Sequence, residues 1–272
     1  MDEPFAHAYL QASCEGAGST AAELGKAWRD ARSKLGATFA SAGAPDVQIL
    51  PKAMEPHLRR VQRQNPRFAQ TVGKLKWSFR SLEIDPLLCF QFHVDKDRSV
   101  KACSGISSKP ASATEVLRTC LPIAPAPLKH QVAGTGGGFF IRSTDLNVRL
   151  LEVRADATAG ETWTARIVWG STTPLVSVVR YKGRYYLNNG YHRAIGLRQA
   201  GVTHMPCVLL EANSWSDFVD PTALVFSEAL LTSPDAPTVG HLTQGRATDV
   251  SLRQVTRFIQ LSLSELALPD HS

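Results

Sequence analysis

The segment Tyr181–Glu211, YKGRYYLNNGYHRAIGLRQAGVTHMPCVLLE, constrains the fold more than any other part of the chain. It reads as a strand, an Asn-Asn-Gly turn, a helix, a glycine stop and a second strand. Asn189 and Gly190 tolerate positive φ, which a sharp strand-to-helix turn needs. Ala194, Ile195 and Leu197 supply an apolar helix face, and Gly201 is placed to end the helix. Val202, Met205 and Val208 belong to the next strand, where Pro206 predicts an edge or a strand start. Backbone N–H groups at a helix start lack intrahelical partners, and the helix dipole favours an anion there. His192 and Arg193 fall on that first turn. Histidine can donate to a phosphate or move a proton, and arginine offers a planar, permanently charged fork.

Other segments predict a mixture of short strands and helices. TAAELGKAWRDARSKLGATFA reads as a helix capped by Ser19 or Thr20, with Glu23 as the capping-box acid and Gly36 near its end. In FRSLEIDPLLCFQFHVD, Leu82 and Ile84 alternate with Ser81 and Glu83 as a half-buried strand requires, and Asp85-Pro86 starts a turn. Residues 99–115 read as irregular, and Pro122, Pro125 and Pro127 exclude regular helix over 119–130. WTARIVWG and PLVSVVRY read as strands, and Lys182-Gly183 links the latter to RYYLNN as a tight hairpin. DPTALVFSEALL predicts a short helix, while SLRQVTRFIQLSLSEL fits helix and strand equally. Gly134–Gly138 fits a hairpin tip better than a phosphate loop, because no Lys-Ser or Lys-Thr pair follows at P-loop distance.

Charge points toward anionic partners. The chain of 272 residues carries a net charge of +6. Its most basic stretch, residues 52–80, includes Arg59, Arg60, Arg63, Arg67, Lys74 and Lys76, with Glu55 alone opposing them. Phe68, Trp77 and Phe79 are interleaved with these cations, a pattern that fits a nucleic-acid face or a solvated helix packed on its apolar side. The five cysteines include no Cys-x-x-Cys pair, so a disulfide framework is not expected. MDEPFAHAYL lacks the pattern of a secretory leader, and no apolar run reaches membrane-spanning length. A reducing cytoplasm is the expected setting, with no membrane partner. His93 with Asp95 and Asp97 reads as a turn rather than a metal cluster, and His204 with Cys207 lacks a further ligand pair for zinc. Ser214, Trp215 and Asp217 read as a capped turn.

GRYYLNNGYHRAIGLRQAGVTHMPCVLL resembles the signature of the ParB/sulfiredoxin superfamily. Gly170, Pro174, Leu175 and Val178 resemble the upstream Gly…Pro-Ile-x-Val element of ParB amino-terminal domains, and Ile84-Asp85-Pro86 with Gln91 resembles their first motif. The resemblance implies an α+β fold: a ParB/sulfiredoxin-like core with a small mixed sheet and flanking helices. The core would span residues 46–212 with an insertion near 100–165, between a helical extension over 1–45 and a further extension over 213–272. It implies a nucleotide-phosphate pocket formed by Asn189, Gly190, Tyr191, His192 and Arg193, taking CTP, ATP or ADP with Mg²⁺. His192, with Glu83 or Asp85 as acidic partner, would carry any hydrolysis or phosphoryl transfer. Sulfiredoxins have a reactive cysteine where Tyr191 stands, and a phenol cannot do thiol chemistry. The residues after Glu211 show no helix-turn-helix pair, so a complete partition protein is not expected. A DNA-binding or DNA-processing module using the 52–80 segment, and a non-catalytic partner-binding protein, are the alternatives; the chain could also pair with a second copy of itself.

Overall fold

The computed structural model describes residues 20–33, 43–91, 93–108, 110–124, 130–135, 138–143, 148–157, 163–171, 174–219, 225–243 and 257–262. The chain forms two compact units. One combines residues 126–172 with the two ends of the chain, and the other combines 29–125 with 173–250. The fold is α+β, with helices and a mixed six-stranded sheet.

The first unit holds two small sheets. In the three-stranded one, β5 (Gly138–Ser143) lies between β4 (His130–Thr135) and β11 (Arg257–Ser262), antiparallel to both. Thr135 pairs with Gly138, and residues 136–137, the centre of the expected hairpin tip, lie outside the described residues. Two long strands, β6 (Val148–Ala157) and β7 (Trp163–Ser171), form a separate antiparallel ribbon with a register shift between Leu150 and Glu152. RFIQLS, equally readable as helix or strand, is β11. Ser19, Gly36, Pro125, Pro127 and residues 220–224 and 251–256 lie outside the described residues.

Helix α1 spans Ala21–Ser33. Thr20 caps it as expected: Glu23 N–H donates to Thr20 Oγ1, and Thr20 N–H donates back to the Glu23 carboxylate.

The second unit carries the large sheet, in the order β1 (Val47–Gln48), β2 (Lys76–Glu83), β10 (His204–Glu211), β8 (Ser177–Tyr181), β9 (Arg184–Asn189), β3 (Leu88–Cys89). β10 runs parallel to β8 and β9 parallel to β3, and the other neighbours are antiparallel. Met205 through Leu210 are all buried, so β10 is covered on both faces. Pro206 therefore sits in a central strand rather than on an edge. It is tolerated because Val208 N–H, which points the same way, donates to Val176 O, while the parallel register with β8 begins only at Val208. The hairpin β8–β9 turns on Lys182 and Gly183, at φ 50° and 74°, the pair of positive values a tight hairpin demands.

Helix α2 (Glu55–Gln64) begins with Pro56 in its first turn and ends before Pro66; α3 (Phe68–Val72) follows. Phe68, Trp77 and Phe79 pack edge-on or tilted at centroid distances of 4.9–5.8 Å. The interleaved aromatics thus hold α3 against β2.

Two helices stand where the sequence predicted irregular chain. α4 (Lys96–Ala102) is capped by Asp95, whose carboxylate accepts from Arg98 N–H, and α5 (Ala113–Cys120) starts with a capping box between Ser112 and Glu115. Helix α6 (Tyr191–Gln199) packs against α4, α5 and α8 (Val239–Thr243). The short α7 (Glu228–Thr232) covers only the end of the helix expected there. Ser214 and Asp217 form the expected capped turn, and the Trp215 and Phe218 rings beside it join Phe90, Tyr181 and Tyr186 in one aromatic cluster. No helix among the described residues is long and apolar enough to cross a membrane.

Candidate functional site

The strand-to-helix turn forms as its sequence demands. Gly190 is the N-cap of α6, with φ 113°. A Cβ there would stand 2.9 Å from Val176 Cγ2, so both the backbone conformation and the space require glycine. Asn189 ends β9, and its side-chain amide donates to Leu175 O at 2.9 Å. This ties the turn to the segment that enters β8.

The residues expected to share a pocket diverge. Tyr191 is buried, and its hydroxyl accepts from Phe90 N–H at 2.7 Å. It is a core residue that fixes β3 against α6. Arg193 turns inward: Nη1 donates to Pro174 O and reaches Cys120 O at 3.4 Å. Burial lowers its pKa, and the guanidinium ties the segment before β8 to the end of α5. Cys103 donates weakly to Arg193 O at 3.6 Å, and burial pushes its thiol up to about 11. Burial likewise holds Cys120 up at about 12. Neither thiol ionises near neutral pH, so neither is a ready nucleophile.

His192 remains on the first turn of α6. Burial, reinforced by the Arg98 charge, lowers its pKa to about 4, while Asp95 acts the other way. It is therefore a neutral imidazole near neutral pH. Arg98 projects from α4 and pairs with Asp95, Nε to Oδ2 at 3.5 Å. Its Nη2 is shielded from solvent and has no hydrogen-bond partner among the described residues. A cationic nitrogen buried without an acceptor carries a desolvation penalty that an anion would offset. Sequence reading missed Arg98; the signal available was Asp95-x-x-Arg98, a helix cap that brings the arginine onto the first turn of α4.

Neither carboxylate expected beside His192 is found there. Asp85 grips Arg198 in a two-pronged pair, Oδ1 to Nε at 2.7 Å and Oδ2 to Nη2 at 2.9 Å. Arg198 lies six positions along α6 from His192, about 9 Å of helix rise. Glu83 sits at the end of β2, opposite His204, and accepts from Asp46 N–H at 3.2 Å. The carboxylate whose charge reaches His192 is Asp95.

An open groove lies near the far end of α6. It has a volume of about 420 Å³ and is lined by Ala200–His204, Gln48–Pro51, Met54, Ser81 and residues around the start of α5. No protein-family model, curated protein or solved structure matches this chain.

Proposed function

We propose that the second unit is a ParB/sulfiredoxin-like core that binds the phosphates of a nucleotide at the start of α6. The observation that carries this reading is the buried Nη2 of Arg98, unpartnered among the described residues, whose charge also bears on His192. The helix dipole adds a positive end at the same point. Arg98 supplies the charge-assisted contact, and neutral His192 donates from one ring nitrogen. Asp95 is the carboxylate at hand to orient Mg²⁺ or a nucleophile in hydrolysis or phosphoryl transfer. Arg193 holds the turn in shape rather than touching the ligand.

Titration calorimetry with CTP, ATP and ADP in the presence of Mg²⁺ tests the reading. At least one nucleotide binds with a sub-millimolar Kd, and Arg98→Ala weakens it at least tenfold while the protein stays folded. Absence of binding by all three, or equal binding by Arg98→Ala, overturns it.

A second reading has its own support. Arg60 and Arg63 are exposed on α2, and neither has an acidic partner among the described residues. Lys74 and Lys76 are exposed too, whereas Arg59 pairs with Glu55 at 2.7 Å. A DNA contact along this face predicts affinity that falls steeply with salt. Duplex binding that is flat between low and moderate salt, or unchanged in Arg60→Glu/Arg63→Glu, removes that reading.

A further inference from the structure

Strand β2 is paired on both sides over only part of its length. β10 pairs with it from Lys76 to Glu83, but on the other side β1 reaches only Leu82 and Ser81. β1 is the last strand of the sheet, so the Lys76–Arg80 half of β2 is an open edge. The chain from 43 to 91 is described without a break, and none of it makes a backbone bond to that edge.

Register decides which groups the edge presents. In an antiparallel pair, successive residues point their N–H and C=O alternately toward and away from the partner. Val208 N–H donates to Val176 O, away from β2, and Glu83 N–H donates to Asp46 O, away from β10. Phe79 stands opposite Val208 and Trp77 opposite Leu210, so both direct their backbone groups outward. Ser78 and Arg80, at the alternate positions, face β10. Among the described residues, Trp77 and the Phe79 N–H have no backbone partner on the outer side. Phe79 O accepts from Arg80 Nη1 at 2.8 Å.

The side chains divide by the same period of two. Trp77 and Phe79 lie on one face, half-buried against Phe68, and offer apolar surface to a strand laid alongside. Lys76, Ser78 and Arg80 lie on the other face. Lys76 and the nearby Lys74 are exposed, and neither has an acidic partner among the described residues. Glu211, opposite Lys76, pairs instead with Arg180 at 3.6 Å. Cations on an edge repel a strand of like charge and leave an acidic strand as the complement.

We propose that the Lys76–Arg80 edge of β2 receives an extended acidic peptide segment as an added strand. Its apolar side chains lie beside Trp77 and Phe79, and its carboxylates beside Lys76 and Arg80. Arg80 moves from Phe79 O to one of those carboxylates, which frees the carbonyl for the new ladder. The surface is separate from the phosphate reading at the start of α6. Duplex DNA would compete for Lys74 and Lys76, but the open backbone favours the peptide, because a duplex offers no strand to pair with it.

Three capped heptapeptides test the proposal, titrated against the full chain by fluorescence anisotropy at neutral pH. One alternates glutamate with valine, one alternates lysine with valine, and the third is the acidic peptide with every internal amide N-methylated. The acidic peptide binds with a sub-millimolar Kd, and the other two bind at least tenfold more weakly. Lys74→Glu/Lys76→Glu, at two exposed positions, weakens the acidic peptide at least tenfold and leaves the chain folded. Amide exchange supplies a second readout: the bound peptide slows exchange at Trp77 and Phe79, while Ser78, already facing β10, is unchanged. The proposal is overturned if no peptide binds at millimolar concentration, or if the lysine or N-methylated peptide binds as tightly as the acidic one. Exchange at Trp77 and Phe79 that ignores the bound peptide also overturns it. Protection of those amides in the free chain that disappears on dilution assigns the edge to a second copy instead. Duplex DNA that displaces the peptide, with no effect of N-methylation, assigns the cations to nucleic acid instead.

Discussion

The two ends of α6 carry the same kind of residue and use it in opposite ways. At the start, Arg98 leaves one guanidinium nitrogen without an acceptor among the described residues, and its charge helps keep His192 neutral. At the other end, Arg198 is fully matched: Asp85 takes two of its nitrogens, and Nη1 donates to Val202 O at 3.1 Å. A matched arginine joins elements, here the turn after β2 to the end of α6. An unmatched one retains donor capacity for a ligand. The contrast teaches that cationic residue type alone does not mark the proposed phosphate site, since Arg193, the better sequence candidate, belongs with the matched group.

Substituting Arg193 breaks that comparison most severely. Arg193→Met leaves the Pro174 carbonyl without its charged donor, while Cys120 O keeps the Val176 N–H, for a loss of up to about 3 kcal/mol. Urea denaturation of the variant measures the loss. If stability is unchanged while nucleotide affinity collapses, Arg193 is a ligand contact and the inward assignment is wrong.

His192 gives the next largest effect, and it depends on pH. Its folded pKa of about 4 lies below its ordinary value of 6.5, so the unfolded chain binds the extra proton between those values. Stability is therefore complete above about pH 6.5 and declines as pH falls toward 4, by about 3 kcal/mol from this group. His192→Gln flattens that acid limb in denaturation measured between pH 7 and pH 4. Inorganic phosphate at the site raises the His192 pKa, which ring-proton titration reads directly. A His192 that titrates near 6.5 in the free protein rules out the buried, Arg98-facing position.

What could be read from the sequence was set by short-range physics. Gly190, Gly201, Lys182-Gly183 and the Thr20–Glu23 cap were legible because turn and cap chemistry acts within a few residues. The Ser112-x-x-Glu115 capping box was equally local, yet α5 was hidden among serines and prolines that favour loops. The partners of the candidate residues were not legible. Asp85 finds Arg198 across 113 positions, and Arg193 finds Cys120 across 73. Nothing local distinguishes an arginine aimed at solvent from one aimed at a distant carbonyl. Trp77 and Phe79 were ambiguous for the same reason, because only the arrival of Phe68 from α3 makes them a packed cluster.

Gly196 sharpens the comparison by coupling α6 to α4 without touching either arginine. A Cβ at Gly196 would stand 2.5 Å from Ser99 O and 2.6 Å from Cys103 Sγ. Gly196→Ala must push α4 outward, at a cost of about 2 kcal/mol of overpacking, partly offset by the gain in helix propensity. The displaced helix carries Arg98, so phosphate or nucleotide affinity drops in parallel with the stability loss. The Asp85–Arg198 clasp contacts α6 from the other side, through the turn that also receives Gly240 N–H, and stays in place. A variant that loses stability but keeps full nucleotide affinity separates Arg98 from the site.

Tyr191→Phe is the smallest perturbation and the most diagnostic of the tyrosine's role. Removing the hydroxyl leaves Phe90 N–H buried without its acceptor and costs about 1–2 kcal/mol. The ring keeps its packing, and His192 and Arg98 keep their positions, so nucleotide binding stays within a factor of two of the parent. Calorimetry on the parent and the variant under one buffer condition checks both numbers. A loss of affinity larger than the loss of stability would put the phenol in the ligand pocket, and α6 would then present Tyr191 together with His192. An unchanged affinity leaves His192 and Arg98 as the groups that face the proposed phosphate site, and makes Tyr191 a packing residue.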